Sequence, residues 1–291
     1  MQLLFYILIY PILWLISILP FPLLYVFSDI VCFLVYNIIG YRKKVVRENL
    51  KLALTHLSEK EQRIVEKKFY SHMCDMFLEM IKTMTISKAE IQKRYKFTNM
   101  DLYLDMEKKN KSIALLCAHY ASYEWAVSMD YYINFTGYGI YKKIANKYFD
   151  KLVHTIRSRF KAVLITTKET VSTIENCTKT GELGVYGFAS DQSPKSHKGS
   201  HWGTFMGIET PIHVGAEVLA KRLDMNVIFL KTKKVKRGYY EATFELLVDN
   251  PKECPNYEIS ELFMKKVEQQ ILEAPEYYLW THKRWKHKKQ A

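Results

Sequence analysis

The sequence lacks the cysteine spacing of a disulfide-stapled or zinc-binding protein. Its five cysteines are scattered and odd in number, and no two form a Cys-x-x-Cys pair: Cys32, Cys74, Cys117, Cys177 and Cys254. This spacing argues against a disulfide framework and a structural zinc site, and it fits a reducing compartment. We therefore expect no metal centre, and we predict no cofactor.

Charge is almost absent from residues 1–40, where Asp29 is the only charged side chain. As a helix, Leu3 to Ser28 alone would be about 39 Å long, enough to cross the hydrocarbon core of a bilayer. Pro20 and Pro22 either kink this helix or divide it into a shallow hairpin that enters one leaflet and returns. A cleavable signal peptide is disfavoured because a basic leading region and a small-x-small cleavage site are both missing. A buried core helix is the weaker alternative, so residues 1–40 are predicted to be a membrane anchor.

The rest of the chain carries an excess of positive charge, with a formal net charge of +13 for the whole sequence. Such an excess indicates an acidic partner, which is a nucleic acid, an anionic membrane surface, or an acidic protein or substrate. Arg42, Lys43 and Lys44 follow the anchor at once. The positive-inside rule then places the remaining chain on the cytoplasmic face of the membrane.

From about residue 112 the sequence alternates between apolar runs of strand length and segments of helical periodicity. This alternation predicts an α/β fold with a mostly parallel central sheet flanked by helices, formed by residues 41–291 as one domain. The last two strands are expected to pair antiparallel across a basic turn. The predicted strands are 113–118, 138–142, 162–166, 183–189, 226–231 and 239–248, and the predicted helices are 124–133, 146–159, 168–178, 212–223 and 257–273.

One stretch places a possible base at the end of a central strand. A continuous apolar run from Ile113 stops at His119, and Glu124 follows five residues later. On one ideal helix these two side chains would lie about 140° apart, so they meet only if the chain turns after His119 and a helix begins near Glu124. The carboxyl ends of strands are where open α/β sheets place their chemistry. The alternative is a histidine bonded at the sheet rim and an ordinary carboxylate in the first turn of a helix.

Polar residues also follow a second buried strand, which ends before Asp191 and Gln192. Residues 193–203 are polar and basic and are predicted to form a mobile loop over the site. Thr210 and Pro211 then predict the cap and first turn of a helix. At the end of the chain, tryptophans alternate with lysine and arginine from Trp280 onward, which favours contact with a lipid headgroup region.

These motifs together resemble the bacterial lipid A biosynthesis (lauroyl/myristoyl) acyltransferases, within the lysophospholipid acyltransferase superfamily. The resemblance runs in order over residues 1 to 287. Its motifs are Ala118-His119-(four residues)-Glu124, Asp191-Gln192, Gly207-x-x-Thr-Pro and the closing Leu-Trp-Thr-His-Lys-Arg-Trp-Lys, with Arg47-Glu-Asn49-Leu50 near the start. It implies a glycerolipid acyltransferase-like fold and an inner-membrane enzyme.

The resemblance also implies a reaction, in which an acyl chain passes from a thioester, typically on acyl carrier protein, to a hydroxyl of a phosphorylated lipid A precursor. His119 would be the general base and Glu124 its partner. Arg157 most nearly matches the family's arginine, which would meet charge on the thioester oxygen, and Arg159 is its rival. The residues predicted to bind substrate are Asp191, Gln192, Arg159, Lys195 and Arg284.

Two alternatives remain open at this stage. Ser193-Pro194-Lys195 replaces the acidic, glycine-containing residues that often follow Asp-Gln in the family, so the acceptor is either a lipid A precursor or another lysolipid or aminolipid. A membrane-anchored protein without enzymatic activity, which binds nucleic acid or lipid through its basic tail, is the other alternative. We expect the enzyme, with inner-membrane lipids and no nucleic acid among its partners.

Overall fold

The computed structural model describes residues 2–195 and 200–289. Its first helix, α1, covers Gln2–Ile18, and its second, α2, covers Phe21–Phe33 and continues as a π-helix over Leu34–Ile39. Pro20 stands at the N-cap of α2, and Pro22 lies in its first turn, where the missing N–H has no helical partner to lose. The prolines therefore divide the apolar segment. By length and composition, Phe21–Ile39 is the one helix among the described residues that is able to cross a membrane, with a mean hydropathy of 1.9.

The next two helices are α3 at Lys43–Ala53 and the long α4 at Glu59–Lys82. A capping box begins α4, since Ser58 Oγ accepts a hydrogen bond from the Glu61 amide while a Glu61 carboxylate oxygen accepts one from the Ser58 amide. Both α1 and α2 pack against α4. This helix thus links the apolar N-terminal segment to the rest of the protein.

The main sheet has seven strands in the order β1-β9-β8-β2-β5-β3-β4, and β8–β9 is its only antiparallel pair among the described residues. The predicted α/β class and largely parallel sheet are confirmed. The strands of this sheet are β1 Tyr95–Thr98, β2 Ile113–Cys117, β3 Thr136–Tyr141, β4 Val163–Thr166, β5 Gly184–Ala189, β8 Asn226–Lys236 and β9 Tyr239–Val248.

Helices lie between the strands, as the alternating pattern predicts. The α-helices are α5 Lys88–Arg94, α6 Met100–Lys108, α7 Lys147–Arg157, α8 Thr170–Thr180, α9 Gly215–Leu223 and α10 Glu258–Glu273. Three 3-10 segments also occur in the described part of the chain: Tyr123–Tyr131, Ser158–Phe160 and Pro275–Tyr277. The first of these occupies the position of the helix predicted at 124–133.

A two-stranded hairpin corrects one prediction. Strands β6 (His201–Phe205) and β7 (Ile208–Ile212) pair antiparallel through Met206 and Gly207, both at positive φ. Thr210 and Pro211, predicted to begin a helix, lie in β7, and α9 begins only at Gly215. A proline fits here because this strand belongs to a two-stranded sheet, whose edges leave N–H positions unpaired. Of the predicted loop 193–203, residues 201–203 belong to β6, and 196–199 lie outside the described residues.

The C-terminal tryptophans correct a second prediction, because they are buried instead of lying at a headgroup boundary. Trp280 is 0% exposed and Trp285 is 4% exposed. Their rings pack together, and the Trp285 ring also stacks on Phe205 at 5.7 Å. Aromatic rings of this size gain most by leaving water, so they close the core around the hairpin, while Lys283 between them and Lys286 after them stay exposed.

Candidate active site

Strands β2 and β5 are parallel neighbours, with Cys117 opposite Ala189 in register. The residues that follow both strands therefore meet at the same edge of the sheet. His119 comes two positions after β2, and Asp191 comes two positions after β5. This edge is the one at which open α/β sheets bind ligands.

A sharp turn follows His119, as the prediction required. The Tyr120 amide donates to the Ala118 carbonyl at 2.7 Å, and Ala121 adopts a left-handed conformation with φ of 49°. The 3-10 segment then begins at Tyr123. The C-terminal segment holds this turn, because Leu279 donates its amide to the His119 carbonyl at 3.1 Å. The backbone of His119 is thus held by strand β2 on one side and by the C-terminal segment on the other.

The carboxylate bonded to His119 is that of Asp191. The Nδ1 atom of His119 lies 2.7 Å from Asp191 Oδ1, and the His119 amide donates to the same oxygen at 3.1 Å. Because an ionised carboxylate only accepts hydrogen bonds, Nδ1 carries the proton, and Nε2 keeps its lone pair in the neutral ring. No hydrogen bond of Nε2 occurs within residues 2–195 and 200–289. The His119 side chain is 20% exposed, so the ring is largely but not completely buried.

Charge and burial act on this pair in opposite directions. Burial alone would lower the pKa of His119, but the charge and hydrogen bond of Asp191 outweigh it, so the pKa is raised. Burial would likewise raise the pKa of Asp191, and the attraction of His119 instead lowers it. The aspartate therefore stays ionised and favours the imidazolium that forms when Nε2 takes a proton.

Glu124 was predicted to be the partner of His119, but the structure pairs it with Arg157 instead. Its carboxylate receives a bidentate pair of hydrogen bonds from Arg157, with Nε to Oε2 at 2.8 Å and Nη2 to Oε1 at 2.5 Å. The Glu124 side chain is buried, and Arg157 ends α7 beside it. Asp191 occupies the Nδ1 side of the imidazole, so Glu124 influences His119 only through its charge. The negative charge of Glu124 raises the pKa of His119, and the positive charge of Arg157 lowers it. The four side chains thus form two hydrogen-bonded pairs, His119–Asp191 and Glu124–Arg157, and the charges of the second pair influence the pKa of His119.

Comparison with known proteins shows which family the chain belongs to. The family model described as bacterial lipid A biosynthesis acyltransferase matches residues 2–287 of the chain. The chain belongs to this family. It is also 25% identical over 282 residues to the lipid A biosynthesis lauroyltransferase of Escherichia coli (strain K12), an alignment that covers 94% of this chain and 89% of that protein. The protein is therefore an acyltransferase of lipid A biosynthesis, as the motifs indicated.

Neither conventional nucleophile near His119 is activated. Burial raises the pKa of the Cys117 thiol to about 12, which keeps it protonated. Ser122 is buried at 1% exposure, and its hydroxyl has no hydrogen-bond partner among the described residues. A histidine that activates an incoming hydroxyl fits this arrangement better than a covalent acyl-enzyme does.

Of the other residues predicted to bind substrate, Gln192 and Lys195 follow Asp191 in the chain, whereas Arg159 lies away from the candidate site. Arg159, the rival of Arg157, points elsewhere, because its guanidinium donates to the backbone carbonyls of Met84 and Ile86, the latter at 2.9 Å. Gln192 is half-buried directly after Asp191, and Lys195 is exposed. No group of three or more histidine, cysteine, aspartate or glutamate side chains able to hold a metal ion occurs in the described parts of the chain.

Arg284 is buried instead of presented to a substrate. It is 1% exposed, and its Nη1 donates to Thr210 Oγ1 and to the Pro211 carbonyl, both at 3.2 Å. Burial lowers its pKa, although the charge of Asp191 acts in the other direction. The motif arginine of the acyltransferase thus joins the C-terminal segment to the hairpin, and its charge is felt at Asp191 from within the core.

His282 and Asn49 complete the surroundings of the site, and the chemical reasoning from sequence assigned neither of them a role. The Ser193 amide donates to Nε2 of His282 at 3.2 Å, close behind Asp191 in the chain. Burial lowers the pKa of His282 to about 4, so it remains neutral and accepts this bond. Asn49 donates to the carbonyls of Trp280 and His282, both at 2.7 Å. Both residues belong to motifs through which the sequence resembles the family, and this membership is the one sequence feature that could have indicated a role for them.

Proposed function

We propose that the protein transfers a fatty acyl chain from acyl carrier protein to a hydroxyl of a phosphorylated lipid A precursor at the cytoplasmic face of the inner membrane. The family supplies the reaction class and the lipid acceptor. The observation that carries the chemistry is the His119–Asp191 pair at the carboxyl edge of the sheet, in which Nδ1 bonds to the carboxylate and the His119 side chain is 20% exposed.

In the proposed reaction, Nε2 of His119 removes the proton of the acceptor hydroxyl as its oxygen attacks the thioester carbonyl carbon. A lipid hydroxyl has a pKa far above 7, so a positioned base is required. Asp191 stabilises the resulting imidazolium, as the third group does in hydrolase triads. When the carbon–sulfur bond breaks, the imidazolium returns its proton to the departing thiolate. The products are the new ester and the free thiol of the carrier.

Arg157 is proposed to meet the negative charge that develops on the thioester oxygen. Its bonds to Glu124 use Nε and Nη2, and its side chain is 24% exposed, so further N–H groups remain for a ligand. Loss of one such donor typically costs about 3 kcal/mol of transition-state stabilisation. Glu124 is then a positioning residue, which holds the guanidinium in place from a buried position.

A groove lined by lysines supports the proposal that the acyl donor is an acidic protein. A cavity of about 630 Å³ lies between α3 and the C-terminal segment, with an apolar floor that includes Val45, Leu52 and Trp285. Its basic side chains are Lys51, Lys283, Lys286 and Lys288. Within the described residues none of these lysines forms an ion pair, so the field of the groove is uncompensated apart from Glu48. Acyl carrier protein is acidic, and such complementarity speeds encounter and fixes register.

The position of helix α7 supports the proposal that the lipid acceptor reaches the site from the side of the N-terminal helices. Tyr148 and Phe149 at its start contact Tyr6 and Phe5 of α1, while Arg157 at its end pairs with Glu124. An 11-residue helix is about 16 Å long. A lipid held at the apolar surface is thus one short helix away from the proposed base, within reach of a headgroup hydroxyl.

The test is an assay of the purified, detergent-solubilised protein with acyl carrier protein thioester and a lipid A precursor, read by mass spectrometry. The proposal expects one added acyl chain on the precursor, and it expects His119→Ala to abolish the product while the protein stays folded by circular dichroism. Unchanged turnover in His119→Ala would remove the proposed base.

The segment Ser193-Pro194-Lys195 differs from the family's usual sequence after Asp-Gln, and this difference favours testing a second class of acceptor lipid. A basic, proline-containing segment directly after Asp191 and Gln192 replaces acidic residues, which alters the charge that faces an acceptor. The same assay should therefore offer lysophospholipid and aminolipid acceptors beside the precursor. A higher kcat/KM for one of these would assign the protein a different lipid and leave the acyl-transfer chemistry in place.

A further inference from the structure

The C-terminal end of α1 is fixed to the α/β part of the protein. The Lys82 ammonium, at the end of α4, donates to the carbonyls of Ser17 at 2.7 Å and Leu19 at 2.8 Å. The Thr85 hydroxyl donates to the same Ser17 carbonyl. These are the carbonyls that a helix end leaves without an internal partner.

The N-terminal end of α1 is fixed as well, to a different helix. Tyr6 stacks on Tyr148 at 5.6 Å, and Phe5 contacts Phe149 at 5.7 Å, both at the start of α7. As a 17-residue helix, α1 is about 26 Å long, somewhat less than the hydrocarbon core of a bilayer. A helix whose two ends both touch the same folded part cannot place those ends on opposite sides of a membrane unless that part enters the membrane too.

The middle of α2 is held by an ionic cluster. Arg237, in the turn between β8 and β9, lies 2.6 Å from an oxygen of Asp29 and 2.7 Å from Asp75 of α4. Ser28 donates to Asp75 at 2.7 Å, and Tyr25 donates to the buried Glu79 at 2.8 Å. The single charge of the apolar segment is thus neutralised by the domain on which the helix lies.

Both ends of the second apolar helix also touch the folded part. Phe21 packs on Trp125 at 6.4 Å, and Tyr36 of the π-helical extension packs on Tyr70 of α4 at 5.0 Å. A span across a bilayer would draw α4, the β8–β9 turn and their ionic cluster into the hydrocarbon core. Charged groups are strongly disfavoured at that depth.

The opposite faces of the two helices are exposed and apolar. The inward stripe of α1, formed by Tyr6, Ile9, Leu13 and Ile16, is less exposed than the residues between them. The outward apolar residues of α1 are Leu3, Leu4, Ile7, Leu8, Tyr10, Ile12, Trp14, Leu15 and Ile18, and those of α2 and its extension are Leu23, Val26, Ile30, Phe33, Leu34, Ile38 and Ile39. So large a continuous apolar surface requires an apolar partner.

Cations stand at both margins of this surface. Arg42, Lys43 and Lys44 follow the π-helical extension, with Lys43 over the Tyr36 ring at 3.7 Å. Near the other end, Lys147 begins α7 beside the residues that contact α1, and the exposed Lys143 precedes it. An apolar face with a cationic rim is the pattern of a helix that lies in the plane of an anionic membrane surface.

We propose that residues 2–39 form a monotopic anchor, in which α1 and α2 lie on the folded domain and insert their outward faces into one leaflet of an anionic bilayer. Both ends of the chain then stand on the same side of the membrane. The proposal shares only membrane attachment with the proposed function and makes no use of its chemistry. It also brings the proposed base to the lipid surface without a helix that spans the membrane.

The test compares epitope tags at the two ends of the full-length protein in cells of a bacterium with an inner membrane. Protease is added to spheroplasts in one arm and to inside-out vesicles in the other. The proposal expects both tags to be cleaved only in the vesicles. Cleavage of the N-terminal tag in spheroplasts and of the C-terminal tag in vesicles overturns it, because the chain then crosses the bilayer.

A depth measurement separates the monotopic anchor from a hairpin that penetrates deeply. Trp14 lies on the outward face of α1, and the difference between wild type and Trp14→Phe isolates its fluorescence in vesicles with anionic lipid. Spin labels placed near the headgroups should quench this signal more strongly than labels at the chain ends. Stronger quenching by the chain-end labels overturns the proposal.

Discussion

The side-chain amide of Asn49 joins the start of the folded domain to its end, since it donates to the His282 carbonyl across 233 residues at 2.7 Å. The same nitrogen donates to the Trp280 carbonyl at 2.7 Å. The segment that receives these bonds also receives the His119 turn, where the Leu279 amide donates to the His119 carbonyl. A residue on α3 therefore supports the position of the proposed base without touching it.

Replacement of Asn49 by alanine should lower both stability and turnover. Two buried carbonyls would lose their donor, and a buried polar group left unsatisfied costs about 1–3 kcal/mol. We expect a lower Tm by thermal unfolding and a reduced kcat with little change in KM, because the His119 turn loosens. Lys179→Ala, an exposed change on α8, is the control and should leave both unchanged. A normal kcat in Asn49→Ala would mean that the C-terminal segment holds the turn without this amide.

Replacement of Asp191 by asparagine should change both the rate and its pH dependence. Activity needs neutral His119, so wild-type activity falls as the pH drops through the raised pKa of this histidine, above its ordinary value. Without the carboxylate charge, burial is the dominant influence and lowers that pKa. The acid limb of the pH–rate profile should therefore move to lower pH, while the plateau falls by more than about a hundredfold because the imidazolium loses its counter-charge. An acid limb that stays in place would assign it to another group.

Much of the fold could be predicted, because continuous apolar runs such as Ile113–Cys117 belong to strands buried on both faces. Strand β1 was missed, since Tyr95–Thr98 is four residues long at the sheet edge and includes a lysine. The hairpin was misread because Thr210-Pro211 fits a helix start as well as an edge strand. In each case local preference was ambiguous, and tertiary pairing decided the outcome.

The partners within the site were harder to predict than its members. His119, Glu124, Arg157 and Asp191 were all named from the sequence, yet sequence proximity suggested that His119 pairs with Glu124. The parallel register of β2 and β5 instead brings Asp191 to His119, and the end of α7 brings Arg157 to Glu124. Such contacts depend on strand order, which a single sequence does not reveal.

The Glu124–Arg157 pair should behave as one unit in turnover. Arg157→Ala removes the proposed donor to the thioester oxygen, and Glu124→Gln removes the group that holds it, so each should lower kcat by about a hundredfold. The double variant should be no slower than the worse single variant, since residues that act together are not additive. Additive losses in kcat would mean that the two side chains contribute separately.

Arg159→Ala is the matched control for Arg157. Its guanidinium bonds to the backbone carbonyls of Met84 and Ile86, away from Glu124. We expect a lower Tm in this variant with kcat close to wild type. A loss of turnover as large as that of Arg157→Ala would transfer the proposed role to Arg159.

Charge reversal in the lysine groove should weaken the use of a protein donor selectively. Lys283→Glu combined with Lys286→Glu turns the field of the groove against an acidic carrier. We expect at least a tenfold rise in KM for acyl carrier protein thioester, and this penalty should shrink as salt screens the charges. Acyl-pantetheine carries the same thioester without the protein, so its KM should remain unchanged.

The control for the groove is a pair with the same change in net charge at other exposed sites, Lys67→Glu and Lys265→Glu, which form no ion pair among the described residues. This pair should leave both KM values near wild type, because the lost charge lies outside the groove. Equal losses with the protein donor and acyl-pantetheine in the groove variant would point to a damaged site or to the lipid acceptor. An unchanged KM for the protein donor would place carrier docking on another surface, while the His119 chemistry would stand independently.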